Sequence, residues 1–348
     1  MSLINLFRKR NSTKLFTTPS HSQKFFIYHK FRQFYRFDIS ETDAHNPQAA
    51  LHSAQERAAK IYGTKATYFL TNGSTSGIHA AVLSCVSPGD KVLVWQNAHK
   101  SHLNAVKLAG AEPVFYEQMI DDNFGVPVGI DADTIKKKLS GEKIKAVIVT
   151  SPTYEGFVSD MRAIKSVCEH FGAYLIADEA HGALYPFSDK LPESSVNIAD
   201  FTIQSLHKTA GGLNPTALLH VNCDIDAKPA LDMITTTSPS YPLLATIEAN
   251  IKYLNSAKGR KKIADLIDGL KQLRQSCKNC EFGGNDITKI LVKLPKYSGF
   301  ELSEKLFSKY HIEDEITNEK STMLLCGIGT DAKKISALKT ALHNLSQL

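Results

Sequence analysis

Apolar residues along the chain fall into short runs separated by polar turns, and two periods alternate. Ala66-Thr-Tyr-Phe-Leu70, Lys91-Val-Leu-Val-Trp95, Glu112-Pro-Val-Phe-Tyr116, Lys145-Ala-Val-Ile-Val-Thr150 and Ala173-Tyr-Leu-Ile-Ala177 read as strands. Segments of helical period lie around and between them. Asn46 to Tyr62 carries Ala49, Ala50, Ala54, Ala58, Ala59 and Tyr62 on one face, with Gly63 where a C-terminal cap belongs. Further helices are predicted after Gly77 through Val86, from His99 to Leu108, from Asp131 to Leu139 with Asp131 or Asp133 as cap, and from Met161 to Phe171. Strands as continuously apolar as Lys145–Thr150 are buried on both faces. The expected fold class is therefore α/β: a three-layer, mainly parallel sheet with helices on both faces.

The pattern changes after Leu244. Helical stretches run to about Gln275. They are followed by a strand (Ile287 to Leu294), a helix (Gly299 to Tyr310), an extended piece (His311 to Ile316), a strand (Thr322 to Cys326) and a closing helix (Asp331 to Leu345). This predicts a small C-terminal α+β domain joined by a helix. The expected division is an arm at 1–44, a large α/β domain at 45–250 and the small domain at 251–348.

Composition sharpens this picture in three places. With 348 residues, 43% of them hydrophobic, the chain can bury a large core. The net charge of +6 comes from residues 1–36, which hold eight Lys or Arg and no Asp or Glu; the remainder has 33 basic against 35 acidic residues. The body therefore offers no basic surface for nucleic acid, and no nucleic-acid partner is expected. The arm also carries Phe25, Phe26, Tyr28, Phe31, Phe34 and Tyr35, which favours packing on a partner subunit over a targeting peptide. No apolar run reaches the about 18–20 residues that cross a membrane, so no membrane partner is expected. Six scattered cysteines without a cleavable apolar signal point to free thiols and a cytoplasmic location. Cys277-Lys-Asn-Cys280 is a lone CxxC with no further ligands at zinc spacing, so no metal site is expected.

The candidate chemistry lies where strands end. Ser205-Leu206-His207-Lys208-Thr209 follows the β-branched run Phe201-Thr-Ile203. A lysine there either snorkels to the surface or is an amine held in a cleft to form a Schiff base. The Gly73–Gly77 loop, with Ser74, Thr75 and Ser76, opens a helix and can hold an anion on backbone N–H groups and hydroxyls. Asp178 ends an apolar strand, and His99 starts a helix. Asp178-Glu179-Ala180-His181 also spells a helicase or ATPase motif. That reading needs a Gly-Lys phosphate loop, and the sequence has no Gly-Lys dipeptide.

Taken in order, these blocks resemble a known family. They are Tyr68–Ile78, Ala98-His-Lys-Ser-His102, Ser151-Pro-Thr-Tyr154, Leu175–Gly182, Gln204–Thr209 and Thr235–Tyr241. The chain resembles fold-type-I pyridoxal-phosphate enzymes, specifically the Orn/Lys/Arg decarboxylase family. The match is good from Phe37 to Tyr253 and looser beyond, through Gly327-Ile328-Gly329. The resemblance implies pyridoxal 5'-phosphate as cofactor and decarboxylation of arginine, lysine or ornithine to the amine and CO2, in polyamine metabolism. Lys208 would form the Schiff base, Asp178 would pair with the ring nitrogen and His99 would stack on the ring, these three being the catalytic set. Ser74, Thr75, Ser205 and His207 would hold the phosphate, with Ser76 in the same cofactor site. Ala180 would pack on the ring's other face, with His181 nearby. Tyr154, Glu155, Thr237, Ser238 and Tyr241 would lie near the substrate or the subunit boundary of a homodimer or higher homo-oligomer. His99 or Lys208 would return the proton to the substrate.

Two departures stand out. The chain is shorter than the large members and is expected to lack their separate N-terminal domain and to have a reduced C-terminal one. Ile27-Tyr28-His29-Lys30 stands where relatives carry Pro-Gly-His-Lys. Glu155, Glu313 and Glu315 are candidates to grip a basic substrate tail. The rival readings are an aminotransferase, an aldolase, a cysteine desulfurase using Cys326, and a pyridoxal-phosphate protein without catalysis.

Overall fold

The structure, a computed structural model, describes residues 14–16 and 49–347. The expectations for the arm and for Ile27–Lys30 lie outside these residues, apart from β1 (Lys14–Leu15) and Phe16.

Seven strands form the central sheet: β2 (Ala66–Leu70), β3 (Lys91–Trp95), β4 (Glu112–Tyr116), β7 (Ala146–Thr150), β8 (Tyr174–Asp178), β9 (Phe201–Ser205) and β10 (Ala217–Val221), in the order β2-β10-β9-β8-β7-β3-β4. Only β10 runs against the rest, since it is antiparallel to both β2 and β9 and all other pairs are parallel. The carboxyl ends of the other six strands therefore share one edge, which is where ligands sit in such sheets. β10 was not predicted. It follows a Gly-Gly-x-x-Pro stretch and carries His220 in its middle, which breaks the apolar signal. His220 is fully buried, bonded to Thr67 Oγ1 (2.9 Å), and burial pushes its pKa down to about 3, so it behaves as a neutral core residue.

Alternation along the strands feeds two cores. Ile148, Ile176 and Ile203 face α2 (Gly73–Cys85), against Ile78 and Val82. Val147, Val149, Leu175 and Ala177 face the other side, against Ile135 of α4 (Ala132–Gly141) and Ile164 of α5 (Met161–Phe171). This is the period of two expected of a sheet covered on both faces. The helix α1 (Ala49–Tyr62) lies N-terminal to β2, and α3 (Lys100–Leu108) links β3 to β4. Asp131, one of the two expected caps, accepts from the Thr134 N–H.

A hairpin of β5 (Ile120–Asp121) and β6 (Val126–Pro127), and the short helix α6 (Lys228–Ile234), went unpredicted because both are brief and mixed in polarity. The C-terminal part begins with α7 (Tyr241–Asn255) and α8 (Ala257–Ser276). The expected boundary at residue 250 falls inside α7. A four-stranded antiparallel sheet follows, in the order β11 (Glu281–Gly283), β12 (Lys289–Lys293), β15 (Thr322–Leu325), β14 (Ile316–Thr317), flanked by α9 (Gly299–Tyr310) and α10 (Ala332–Gln347). β1 pairs in parallel with β13 (Ile312–Glu313), and Phe16 is buried beneath Lys334.

One glycine sets how close α2 approaches the sheet. A Cβ on Gly77 would lie 2.9 Å from both Ile203 and Leu70. Gly77→Ala should therefore lower stability by about 1–3 kcal/mol through overpacking, read as a lower urea midpoint at unchanged slope.

Candidate active site

Lys208 lies on a π-helical turn, Leu206–Ala210, directly after β9. Such turns are uncommon and often sit at functional sites. This one is pinned at its end. The N–H groups of Gly211 (φ 85°) and Gly212 both reach the Leu206 carbonyl, and Asn250 of α7 donates to the Ala210 carbonyl at 2.8 Å. The Lys208 ammonium is mostly buried and donates to His181 Nε2 at 2.8 Å. Burial lowers the Lys208 pKa, the charges of Asp178 and Glu315 oppose that, and the charge of Lys289 adds to it.

His181 is neutral by the same logic. Burial, then the nearby cations Lys208 and Lys289, hold its pKa well below the usual imidazole value. Its ring meets the Tyr154 ring edge-on, with centroids 4.5 Å apart, and its Nδ1 has no partner among the described residues. Tyr154 in turn donates to Glu315 Oε1 at 2.5 Å.

Asp178 is buried at the end of β8. It receives His102 Nε2–H at 2.8 Å and the Ala180 N–H at 3.1 Å. Burial pushes its pKa up, but the His102 hydrogen bond and charge, the Lys208 charge and the Ala180 N–H together win. Its carboxyl is held below the ordinary aspartate range and stays ionised. The next residue in the motif does something else. Glu179 is bound by Ser194 Oγ (2.6 Å) and Gln204 Nε2 (2.6 Å), and burial raises its pKa to about 7. Its oxygens fasten the β8 turn to the loop before β9.

The remaining expected residues divide. Ser205 is fully buried, and its hydroxyl has no partner among the described residues. His207 donates Nδ1–H to the Thr216 carbonyl at 3.0 Å. At α2 the Asn72 side chain makes no capping hydrogen bond, and the Gly73 N–H donates to the Pro215 carbonyl at 2.7 Å. Ser74 and Thr75 are half-buried there, but the Ser76 hydroxyl turns back onto the Gly73 carbonyl at 2.9 Å and is not aimed at a ligand. His99 caps α3, with Nδ1 accepting from the Ser101 N–H; its ring is exposed and feels both Asp178 and Lys208. Ala180 is buried beside them. Glu155 is buried, its Oε2 has no partner among the described residues, and burial raises its pKa. Thr237 and Ser238 are exposed, and Thr237 lines a surface cavity with Leu51, Tyr68 and Leu231 that holds neither Lys208 nor Asp178. Tyr241 opens α7. Cys326 is fully buried, and its thiol pKa is pushed up to about 12 by burial, which is the opposite of an activated nucleophile.

Sequence reasoning missed three residues. His102 lies one helical turn after His99, and that spacing was its only signal. Lys289 and Asp286 sit at the start of an apolar strand and form a fully buried pair at 2.6 Å.

These groups suit one cofactor. A buried hydroxyl with no partner among the described residues, a helix N-terminus without a side-chain cap, an ionised buried carboxylate and an amine of lowered pKa are what a phosphorylated pyridine aldehyde requires. Fold and site define a pyridoxal-phosphate-dependent protein of fold type I. The Orn/Lys/Arg decarboxylase major domain matches residues 5–323, and the chain belongs to that family. It is 32% identical over 305 residues to an uncharacterized protein of Bacillus subtilis, covering 82% of this chain and 63% of the other. It is 31% identical over 328 residues to the arginine decarboxylase of Bacillus anthracis, covering 88% of this chain and 66% of the other. The chain thus spans a little under two thirds of the length of these relatives. Lysine decarboxylase A from Pseudomonas aeruginosa shares the fold, with a TM-score of 0.78 at 20% identity, over 94% of this chain and 57% of that one.

The Asp178–His102 pair has a consequence for stability. A carboxylate of depressed pKa stabilises the fold above its unfolded pKa, and that contribution is lost as pH falls through the folded value. His102→Leu removes the main partner and leaves a buried charge. Stability should drop by about 3–5 kcal/mol at neutral pH. The deficit should shrink as pH falls and Asp178 takes up a proton, which urea titrations between neutral and acid pH would read.

Proposed function

We propose that the chain is a pyridoxal-phosphate-dependent decarboxylase that converts arginine, lysine or ornithine into the amine and CO2. The observation that carries this reading is Lys208: a half-buried amine of lowered pKa at a strand end, close to an ionised buried Asp178. When bound, the cofactor supplies an electron sink for the bond to the departing carboxylate. The chain's own residues do the rest. Lys208 is the attachment point, and its lowered pKa favours exchange with a substrate amine. Asp178 keeps a proton on the ring nitrogen, and His102 and the Ala180 N–H keep Asp178 ionised for that task. Ser205, His207, Ser74 and Thr75 hold the phosphate. His99, exposed at the open side, would cover the ring, and His99 or Lys208 would return a proton to the substrate's α-carbon.

Among the acids proposed for a basic tail, the charge of Glu315 reaches Lys208 and that of Glu155 reaches Tyr154. Glu315 is the better grip for a basic tail, because Tyr154 fixes its carboxylate. In this reading the protein is a cytoplasmic enzyme of polyamine metabolism. It works as a homodimer or higher homo-oligomer, with Thr237, Ser238 and Tyr241 at the subunit boundary. The large unit at 45–250 holds the cofactor, with the arm at 1–44 and the small unit at 251–348 around it.

The deciding assay supplies pyridoxal phosphate and each of the three amino acids to the purified protein, and measures CO2 and amine. Amine and CO2 in equal amounts from at least one of them is the expected result; keto acid in place of amine overturns the reading. Lys208→Ala should lose both the yellow colour of the bound cofactor and turnover. Glu315→Gln should raise KM about tenfold with little change in kcat, the pattern of a lost ground-state contact.

A further inference from the structure

Lys289 has no solvent exposure, yet it carries an ammonium group. Its Nζ donates to the His181 carbonyl (2.6 Å), Asp286 Oδ2 (2.6 Å) and Thr288 Oγ1 (3.2 Å), so all three protons are used. Asp286 is equally buried. Its Oδ2 also receives the Tyr185 hydroxyl at 2.6 Å, and its Oδ1 receives the Thr288 N–H and hydroxyl. Replacing such a pair by apolar residues is often neutral or stabilising, so stability alone does not account for it.

Its placement does. His181 is held at both ends by lysines: its carbonyl by Lys289 from the small sheet, its ring by Lys208 from the large one. The charge of Lys289 acts on Lys208 and His181, and that of Asp286 on Tyr185 and Arg274. The loop carrying Tyr154 is shaped around this lysine. Gly156 (φ 100°) lies where a Cβ would meet Lys289 Cβ at 2.8 Å, and its carbonyl accepts from the Asn285 and Asp286 N–H groups. Tyr154, two residues earlier, packs on the His181 ring.

We propose that Lys289 is a positioning residue for Lys208: it fixes His181 beside the amine, and its buried positive charge keeps that amine available in the neutral form. Like charges in one pocket disfavour each other's protonation, while Asp178 and Glu315 pull the other way from β8 and from the segment before β14. The neutral His181, with His99 and His207 around it, adds no fixed charge that could replace Lys289. This deepens the assignment of Lys208 made above, but the lysine itself can be read without turnover.

The experiment is competitive labelling of the cofactor-free, full-length protein with trace acetic anhydride across a pH range. The extent of acetylation at Lys208 is followed by peptide mass. In Lys289→Met the labelling midpoint of Lys208 should move up by about one pH unit. The double variant Lys289→Met/Asp286→Leu removes both charges together and keeps the site apolar, so it covers the case in which the single variant does not fold. Its midpoint should also rise. Asp286→Asn, which leaves the lysine unopposed, should move the midpoint down. A midpoint unchanged or lowered in the folded Met variants overturns the proposal. Failure of every basic amino acid to give amine would overturn the decarboxylase reading and leave this midpoint shift untouched.

Discussion

The structure depends on keeping one amine and one carboxylate buried together without letting them neutralise each other. A lysine and an aspartate in direct contact would form an ion pair, and the amine would stay protonated. Here each is given a histidine instead: His102 for Asp178 at 2.8 Å and His181 for Lys208 at 2.8 Å. The two histidines come from different places, one from the helix after β3 and one from the turn after β8. The parallel sheet makes that possible, because it delivers the ends of β3, β8 and β9 to the same edge. Gly77 belongs to the same constraint, since it lets α2 bring its uncapped end close to that edge.

Much of this was legible before any coordinate. β2, β3 and β4 and the helices Met161–Phe171 and Gly299–Tyr310 lie where periodicity put them, because each is a run whose apolar spacing matches one period alone. Lys208 and Asp178 were found by the same reasoning, as polar residues at the ends of apolar runs. What escaped has a physical pattern. β10 was hidden by a buried histidine that looks polar in sequence and is neutral in the fold. His102 lies inside a helix, where polar residues usually face solvent, and only the fold shows that this face looks at β8. Lys289 carried the signal that exposed Lys208, a lysine beside an apolar strand, but the motif order offered it no role.

The hydroxyls at the start of α2 show the limit of reading by type. Ser74, Thr75 and Ser76 are interchangeable in sequence, and all three suit a phosphate. Helix geometry separates them. A serine one turn into a helix returns its proton to the preceding carbonyl, as Ser76 does to Gly73, while its two neighbours are spared that bond. Asp178 and Glu179 separate in the same way. They are adjacent acids on a strand end, so alternation sends them to opposite sides. One meets a histidine and a peptide N–H, feels the Lys208 charge, and stays ionised. The other meets hydroxyl, amide and peptide N–H donors, and burial brings its pKa to about 7. The resemblance to a helicase motif fails for that reason as well as for its missing phosphate loop: the glutamate is committed to Ser194 and Gln204.

The last step concerns why the small sheet should matter to chemistry on the large one. The two share a continuous apolar cluster, with Leu206, Ala210 and Leu218 packed with Ile290, Leu324 and Cys326. Apolar packing holds such units together but tolerates small shifts of one against the other. A charged, fully bonded contact does not, because a shift would strand a buried ammonium. The contact from Lys289 to the His181 carbonyl is of that kind, and it is made at the residue that touches Lys208. The polar tie therefore fixes the register between the two sheets at the one place where an ångström would change the environment of the amine.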